Sequence, residues 1–449
     1  MRGALCVIRV IVVGAALSAC SNSIALPTTQ PGSTPSVAVS QSPTPLSVQP
    51  PLESMGTVCS GDVEPPIIAP GWKLLWQRMF EYQIARPPVV DGRQALLIER
   101  ADARWTSIQD NVVLVDAQTG NIQWNDIEAK DPIPHVSRDV LSIQYSPKYW
   151  LLLLRYMKPE GSPNPPSMQY ELVVDRQSGK VIYDSGANAT GSATTMALGG
   201  DVLFDHFSGS GGVFAYEYMR RIDLSMGQAH WMQAWGAYVA RGMVVVDNNL
   251  YVFADEKIGR YDPSDGHLIA STKFNLYPSL GDLIFEGNLA VIRSERGLGV
   301  FDLQSFSGVW RTLAGDRPGT GSNAFGNDLP SMFVTLDSIY MFDAQNTLSR
   351  FDLHTGKLVW QVSLPSPQAM SRPVVMNGLV FALFADGTVR AFAETDGAPA
   401  GVVGQFPVWY WTSTDTREWL DLVGGLGVSD DTLIVTTGCR SVYAIQRAP

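Results

Sequence analysis

Cysteines, histidines and one dense group of aromatics are the side chains in this 449-residue sequence whose types could do chemistry. His135, His206, His230, His267 and His354 stand singly. They lack the close pairings that hold zinc, so no metal site is expected. There is no P-loop and no Gly-x-Ser-x-Gly element; a carboxylate pair that meets only in space stays open as a catalytic route. The aromatics fall in QFPVWYWTSTDTREWLDL (405–422), which carries Trp409, Tyr410, Trp411 and Trp419. Flat amphipathic rings at this density suit a platform for a sugar or a protein strand. The alternative is that alternate residues of the stretch form an outer strand and pack between neighbours.

Charge narrows the choice. Acids exceed bases by 43 to 32, which argues against a nucleic-acid partner held by general electrostatics. Gly 41, Pro 29 and 10% aromatics, without sustained helical periodicity, describe many turns and many strands.

The four cysteines divide by position. Arg2 and Arg9 precede a short apolar run, Val10 to Leu17, and then Leu17-Ser18-Ala19-Cys20. The run is too short to span a bilayer and reads as an export signal. LSAC looks like a lipobox, so residues 1–19 are expected to be removed and Cys20 to carry lipid (palmitate among its acyl chains) as a membrane anchor, the alternative being an ordinary secretory signal that happens to contain Cys20. Residues 20–58, rich in Ser, Thr, Pro and Gln, cannot bury enough apolar surface to fold and are expected to form a disordered tether. Cys6 leaves with the signal, so Cys59 and Cys439 remain at the two ends of the folded region, 59–449. In an oxidising compartment they invite a disulfide, the alternative being two buried thiols.

The elements that would position these groups repeat along the chain. The phrases are LVDAQTGNIQW (114–124), VVDRQSGKVIY (173–183), RIDLSMGQAHW (221–231), RYDPSDGHLIA (260–270), VFDLQSFSGVW (300–310), RFDLHTGKLVW (350–360) and AFAETDGAPAG (391–401). Their turn glycines are taken as Gly120, Gly179, Gly227, Gly266, Gly308, Gly356 and Gly397, a spacing that suits four-stranded propeller blades. The Asp can accept backbone N–H groups in the turn, and Gly supplies the positive φ that closes the hairpin. The aromatic four residues on, Trp124, Tyr183, Trp231 or Trp360, can cover the seam to the next blade. The 300–310 copy is expected to hold two extra turn residues; the 391–401 copy has Ala393 for Asp and no aromatic.

Each phrase is preceded by room for two more strands, as in RPVVMNGLVFALFADGTVRAFAETDG (372–397). The chain ends complete the count. LGVSDDTLIVTTGCRSVYAIQ (426–446) has three strands and no fourth, and GWKLLWQ (71–77) supplies a fourth with Trp76 in the aromatic place. The expected fold is an all-β, eight-bladed β-propeller closed by pairing N- and C-terminal strands in one blade.

The Asp-x-x-[Thr/Ser]-Gly-x-x-x-Trp phrase resembles the repeat of the PQQ-like, or quinoprotein-type, β-propeller family. That family includes calcium- and quinone-dependent alcohol dehydrogenases and non-catalytic lipoproteins, among them the outer-membrane scaffold that assists β-barrel assembly. The dehydrogenases rest the quinone on an adjacent cysteine pair, which this sequence lacks, so PQQ is not expected. The resemblance implies a non-enzymatic extracytoplasmic scaffold for envelope proteins, a lipid-anchored monomer on the cell membrane or outer membrane. Carbohydrate binding or processing through the 405–422 aromatics, with a glycan ligand, is the first alternative, and a PQQ-dependent dehydrogenase relative is the second.

Overall fold

The computed structural model describes residues 65–448 apart from 101–109, 126–136, 158–167, 186–190, 212–213, 237–239, 255–256, 275, 277–282, 295–296, 314–331, 344, 365–368 and 408–423. Among the described residues every regular element is a strand, and the strands form eight antiparallel sheets. We number these blades along the chain: blade 1 (83–125), blade 2 (137–184), blade 3 (191–236), blade 4 (240–273), blade 5 (283–313), blade 6 (332–363) and blade 7 (374–405). Blade 8 joins Trp72–Met79 to Gly425–Ser429, Thr432–Thr436 and Ser441–Arg447. The arrangement is the expected eight-bladed β-propeller with one composite blade.

Closure comes from ordinary ladder pairing. Trp72–Met79 runs antiparallel to Ser441–Arg447, with Trp72 opposite Arg447 and Met79 opposite Ser441. A second piece of the N-terminal region, Ile67–Ile68, adds a fifth strand to blade 7 by pairing with Gln405 and Gly404. In blade 1 two short strands, Gln83–Ile84 and Val89–Asp91, share one inner position against Gln94–Arg100. Pro87 and Pro88 lie in the gap, where a residue without N–H cannot join a ladder.

The repeated turns work as their residue types require. The Asp352 carboxylate accepts from the backbone N–H of His354 and Thr355 at 3.1 and 2.7 Å and from the Thr355 hydroxyl at 2.7 Å. Gly356, at φ 66°, donates its N–H to the Asp352 carbonyl at 2.9 Å. The 300–310 copy corrects the expected reading. It has no extra residues: Phe306, four positions after Asp302, holds the left-handed conformation at φ 53°, and Gly308 lies on the next strand opposite Phe301. Ala393 keeps the same backbone turn without a carboxylate, its carbonyl accepting from Gly397 N–H at 2.9 Å.

Apolar side chains on facing blade surfaces form the core. Leu114 and Trp124 of blade 1 pack with Leu152 and Leu172 of blade 2, and Val300 of blade 5 packs with Ile339 and Phe351 of blade 6. Each large apolar side chain so enclosed contributes about 1.5–3 kcal/mol. Five seams add one repeated contact. The indole Nε1 of Trp76, Trp124, Trp231, Trp310 and Trp360 donates to the carbonyl of Ala117, Arg176, Pro263, Leu353 and Glu394, at 2.6–3.3 Å. Each acceptor is the residue just after the Asp position of the next blade's turn, and each ring covers that turn's glycine.

Two seams substitute for the indole. Between blades 4 and 5 the aromatic place is Ala270, and the Phe306 ring fills the gap from the other side, packing on Tyr251 and Phe301. The Tyr251 hydroxyl then donates to Leu303 at 2.8 Å, doing for that carbonyl what Nε1 does elsewhere. Between blades 7 and 8, Phe406 meets Tyr443 at 5.1 Å between ring centroids.

Candidate functional site

Charged residues interrupt the apolar strands of blades 1 to 3, and burial forces them to find partners. Arg100 grips Asp110 with two N–H groups at 2.7 and 2.9 Å and reaches Asp139 of blade 2 at 2.9 Å. Arg155 also donates to Asp139, and Asp110 accepts from the Val140 N–H at 2.9 Å. One seam along, Arg220 donates to both oxygens of Asp205, the closest contact at 2.6 Å, and its Nη2 lies 3.7 Å from Glu171 Oε2. Burial, then the neighbouring Asp205, pushes Glu171 up to about 8. His206 is buried too, and desolvation lowers it to about 4, so its ring is neutral near pH 7.

Among the described residues Glu171 and Asp205 are one carboxylate pair brought together in space. Their exposures are 1% and 0%, which leaves no room for a sugar ring and water to reach both. The pair is a structural element, unlike the open pairs of glycoside hydrolysis.

The inner strands of the blades line the centre of the ring. A cavity of about 70 Å³ there touches Ser142, Gln144, Thr195, Met196, Arg241 and Phe285. That is room for a water or two; small-molecule sites usually run to about 300–1,000 Å³. Arg372 is half-buried with its guanidinium 5.9 Å from the Phe333 ring centroid, and desolvation lowers its pKa. At the rim Arg176 ties two blades together: it pairs with Asp91 and Gln94 of blade 1 and lies 4.7 Å over Trp150 of blade 2.

Most of the site residues expected from sequence lie outside the described residues: Cys20, Cys59, Trp409, Tyr410, Trp411 and Trp419. Pro407, in the 405–422 stretch two residues before Trp409, has its carbonyl oxygen 3.8 Å from the sulfur of Cys439. Cys439 is 3% exposed. Among the described residues one group could offer a metal three ligands, Asp262, Asp265 and His267 in the blade 4 turn. These side chains are already engaged: Asp262 with Ser264, and His267 Nδ1 with Asp265 at 2.7 Å. Sequence reasoning missed Glu171, Asp205 and Arg220, although the signal was present in LFDHF and YELVV, where an acid stands inside an apolar strand.

The repeat type has independent support. A family model described as "Outer membrane protein assembly factor BamB" matches residues 215–384 and 309–418. No curated protein matches the chain. Among solved structures, the computationally designed Ika8 protein aligns over 83% of this chain and 99% of its own at 12% identity and a TM-score of 0.53. The C-terminal WD40 domain of Sif2 covers 84% and 99% at 10% identity and a TM-score of 0.50. BamB from Moraxella catarrhalis covers 84% and 99% at 14% identity and a TM-score of 0.49. Likeness at these identities speaks to the ring fold alone.

Proposed function

We propose that this PQQ-like β-propeller is a non-enzymatic scaffold of the cell envelope that holds partner proteins against its rigid ring. The observation that carries the reading is the family match over residues 215–418, whose description is that of an outer-membrane assembly factor. The structure supplies the mechanical basis. Five Trp-to-carbonyl contacts and the Tyr251–Leu303 contact tie neighbouring blades together, which supports a rigid ring. Binding energy is then spent little on ordering the scaffold.

Placement follows from the N-terminus. In this reading residues 1–19 direct export, Cys20 carries the lipid, and residues 20–58 tether a monomeric ring on the extracytoplasmic side of the cell membrane or outer membrane. Cys59 is the proposed partner of Cys439, fastening the start of the folded region beside blade 8. Intact mass before and after reduction tests that bridge: a gain of two hydrogens is expected, and no gain removes it. Trp409, Tyr410, Trp411 and Trp419 are the proposed contact surface for a protein strand.

The test of function is purification of the tagged protein from gently solubilised envelopes of its native host. A stoichiometric envelope protein that is lost in the Trp409→Ala/Trp411→Ala variant supports the scaffold. Tryptophan emission that responds to PQQ with calcium, or to a soluble glycan, would overturn it in favour of a small-molecule site.

A further inference from the structure

The seam between blades 2 and 3 is held differently from its neighbours. Gly120, Gly179, Gly266, Gly356 and Gly397 each have a tryptophan ring within 3.0 Å of where a β-carbon would stand, while Gly227, the corresponding glycine of blade 3, faces open space. Tyr183 occupies the aromatic place of blade 2 without covering that glycine. An apolar cluster that includes Leu151, Leu153 and Val173 of blade 2 and Met196, Leu203 and Ile222 of blade 3 packs across the seam, and polar contacts cross beside it. In its interior, Glu171 of blade 2 faces the Asp205–Arg220 pair of blade 3. At its surface, Asp201 of blade 3 accepts from Lys148 and Tyr149 of blade 2, both at 2.6 Å.

The interior group has an unbalanced charge. Two buried carboxyls share one guanidinium that is itself 20% exposed, so with both acids ionised one buried negative charge has no second counterion among the described residues, an arrangement costly in a low-dielectric interior. One proton retained on the pair removes the imbalance. We propose that the blade 2–blade 3 seam is a proton-gated joint of the ring, closed while Glu171 and Asp205 share one proton and loosened when that proton leaves.

The other groups facing the pair do not titrate with it near neutrality. Arg220 stays charged, and burial pushes the Tyr183 phenol well above its usual range. Ser185 offers only a hydroxyl and accepts from the Glu171 N–H at 2.9 Å. His206 follows Asp205 in the strand but points to the opposite sheet face, toward Glu217 at 3.4 Å. Burial and Asp205 raise Glu171 to about 8, above an unfolded carboxyl. The folded ring therefore holds a proton that the unfolded chain releases. The seam's contribution is complete below the ordinary carboxyl pKa and declines as pH rises toward and past 8.

Hydrogen exchange on the full chain at pH 6 and pH 9, corrected for intrinsic exchange, tests this. The expected result is at least a tenfold loss of protection at pH 9 in 168–175 and 202–207, with 289–294 and 338–342, on either side of the Trp310 seam, unchanged. Glu171→Gln, neutral at both pH values, should keep the seam protected throughout. Uniform loss of protection around the ring, or an unaltered pH response in Glu171→Gln, overturns the proposal. Should that variant fail to fold, the wild-type midpoint decides: a midpoint between pH 7 and 9 supports the joint, and one in the ordinary carboxyl range overturns it.

Discussion

The Trp310 ring and Gly356 stand so close that a β-carbon on the glycine would lie 2.5 Å from the indole Cδ2, while the same indole donates to Leu353 at 2.6 Å. One residue of blade 5 thus reads two features of the blade 6 turn, its missing side chain and its free carbonyl. Trp310→Ala should cost less in denaturant unfolding than the about 3–5 kcal/mol of a fully buried aromatic, because Trp310 is half-buried, but more than about 1 kcal/mol. Trp310→Phe keeps a ring and loses the N–H donor, and should cost less than Trp310→Ala. A loss below about 1 kcal/mol for Trp310→Ala would show that the seam does not depend on it.

The seam between blades 4 and 5 predicts a coupled exchange. Ala270→Trp alone should destabilise, because Phe306 already occupies the space, and Phe306→Gly alone should leave a void. Together they rebuild the Trp-over-Gly contact of the other seams. The double variant should recover about 1 kcal/mol or more relative to the sum of the single changes, measured as a double-mutant cycle. Additive losses would contradict this account of the exchange.

Ring closure predicts a sharp boundary at the N-terminus. A chain beginning at residue 65 retains Trp72–Met79 and should unfold cooperatively. Beginning at residue 80 removes the outer strand of blade 8 and bares the Ser441–Arg447 edge. That chain should lose cooperative unfolding and aggregate, as unpaired strand edges do. Equal behaviour of the two chains in circular dichroism melts would mean that closure lies elsewhere.

Acid should weaken the turns. Hydrogen bonds from the Thr355 hydroxyl and N–H hold Asp352 below its ordinary pKa, and bonds from Ser178 and Ser225 do the same for Asp175 and Asp223. A depressed carboxyl contributes stability that is present above its unfolded pKa and lost as pH falls through the folded one. Melting temperature should therefore drop on the acid side, and Asp352→Asn should make that drop shallower. These carboxylates are exposed enough for solvent to screen them, so each effect is small. A slope unchanged in Asp352→Asn would contradict the role given to the turn bonds.

The ring was legible in the sequence because the repeated residues do local work. Asp352, Gly356 and Trp360 each act within one turn or on the adjacent blade, so their spacing survives as a pattern. Phe306 was missed because a bulky residue at positive φ is uncommon, and the nearby Gly308 offered a more ordinary turn. Counting four positions from Asp302 would have found it. The Glu171–Asp205–Arg220 group has no such spacing; its members come from three strands, and only the acids inside apolar runs betray it. The aromatics at 409–419 were chosen by density alone, and their contribution rests on the partner experiment.

Crosslinking in intact cells of the native host, followed by purification through a C-terminal tag, is the most direct test of the scaffold role. A single envelope protein recovered near one-to-one with this chain is the predicted result. No protein adduct, under conditions that crosslink a control lipoprotein to its own partner, would contradict it.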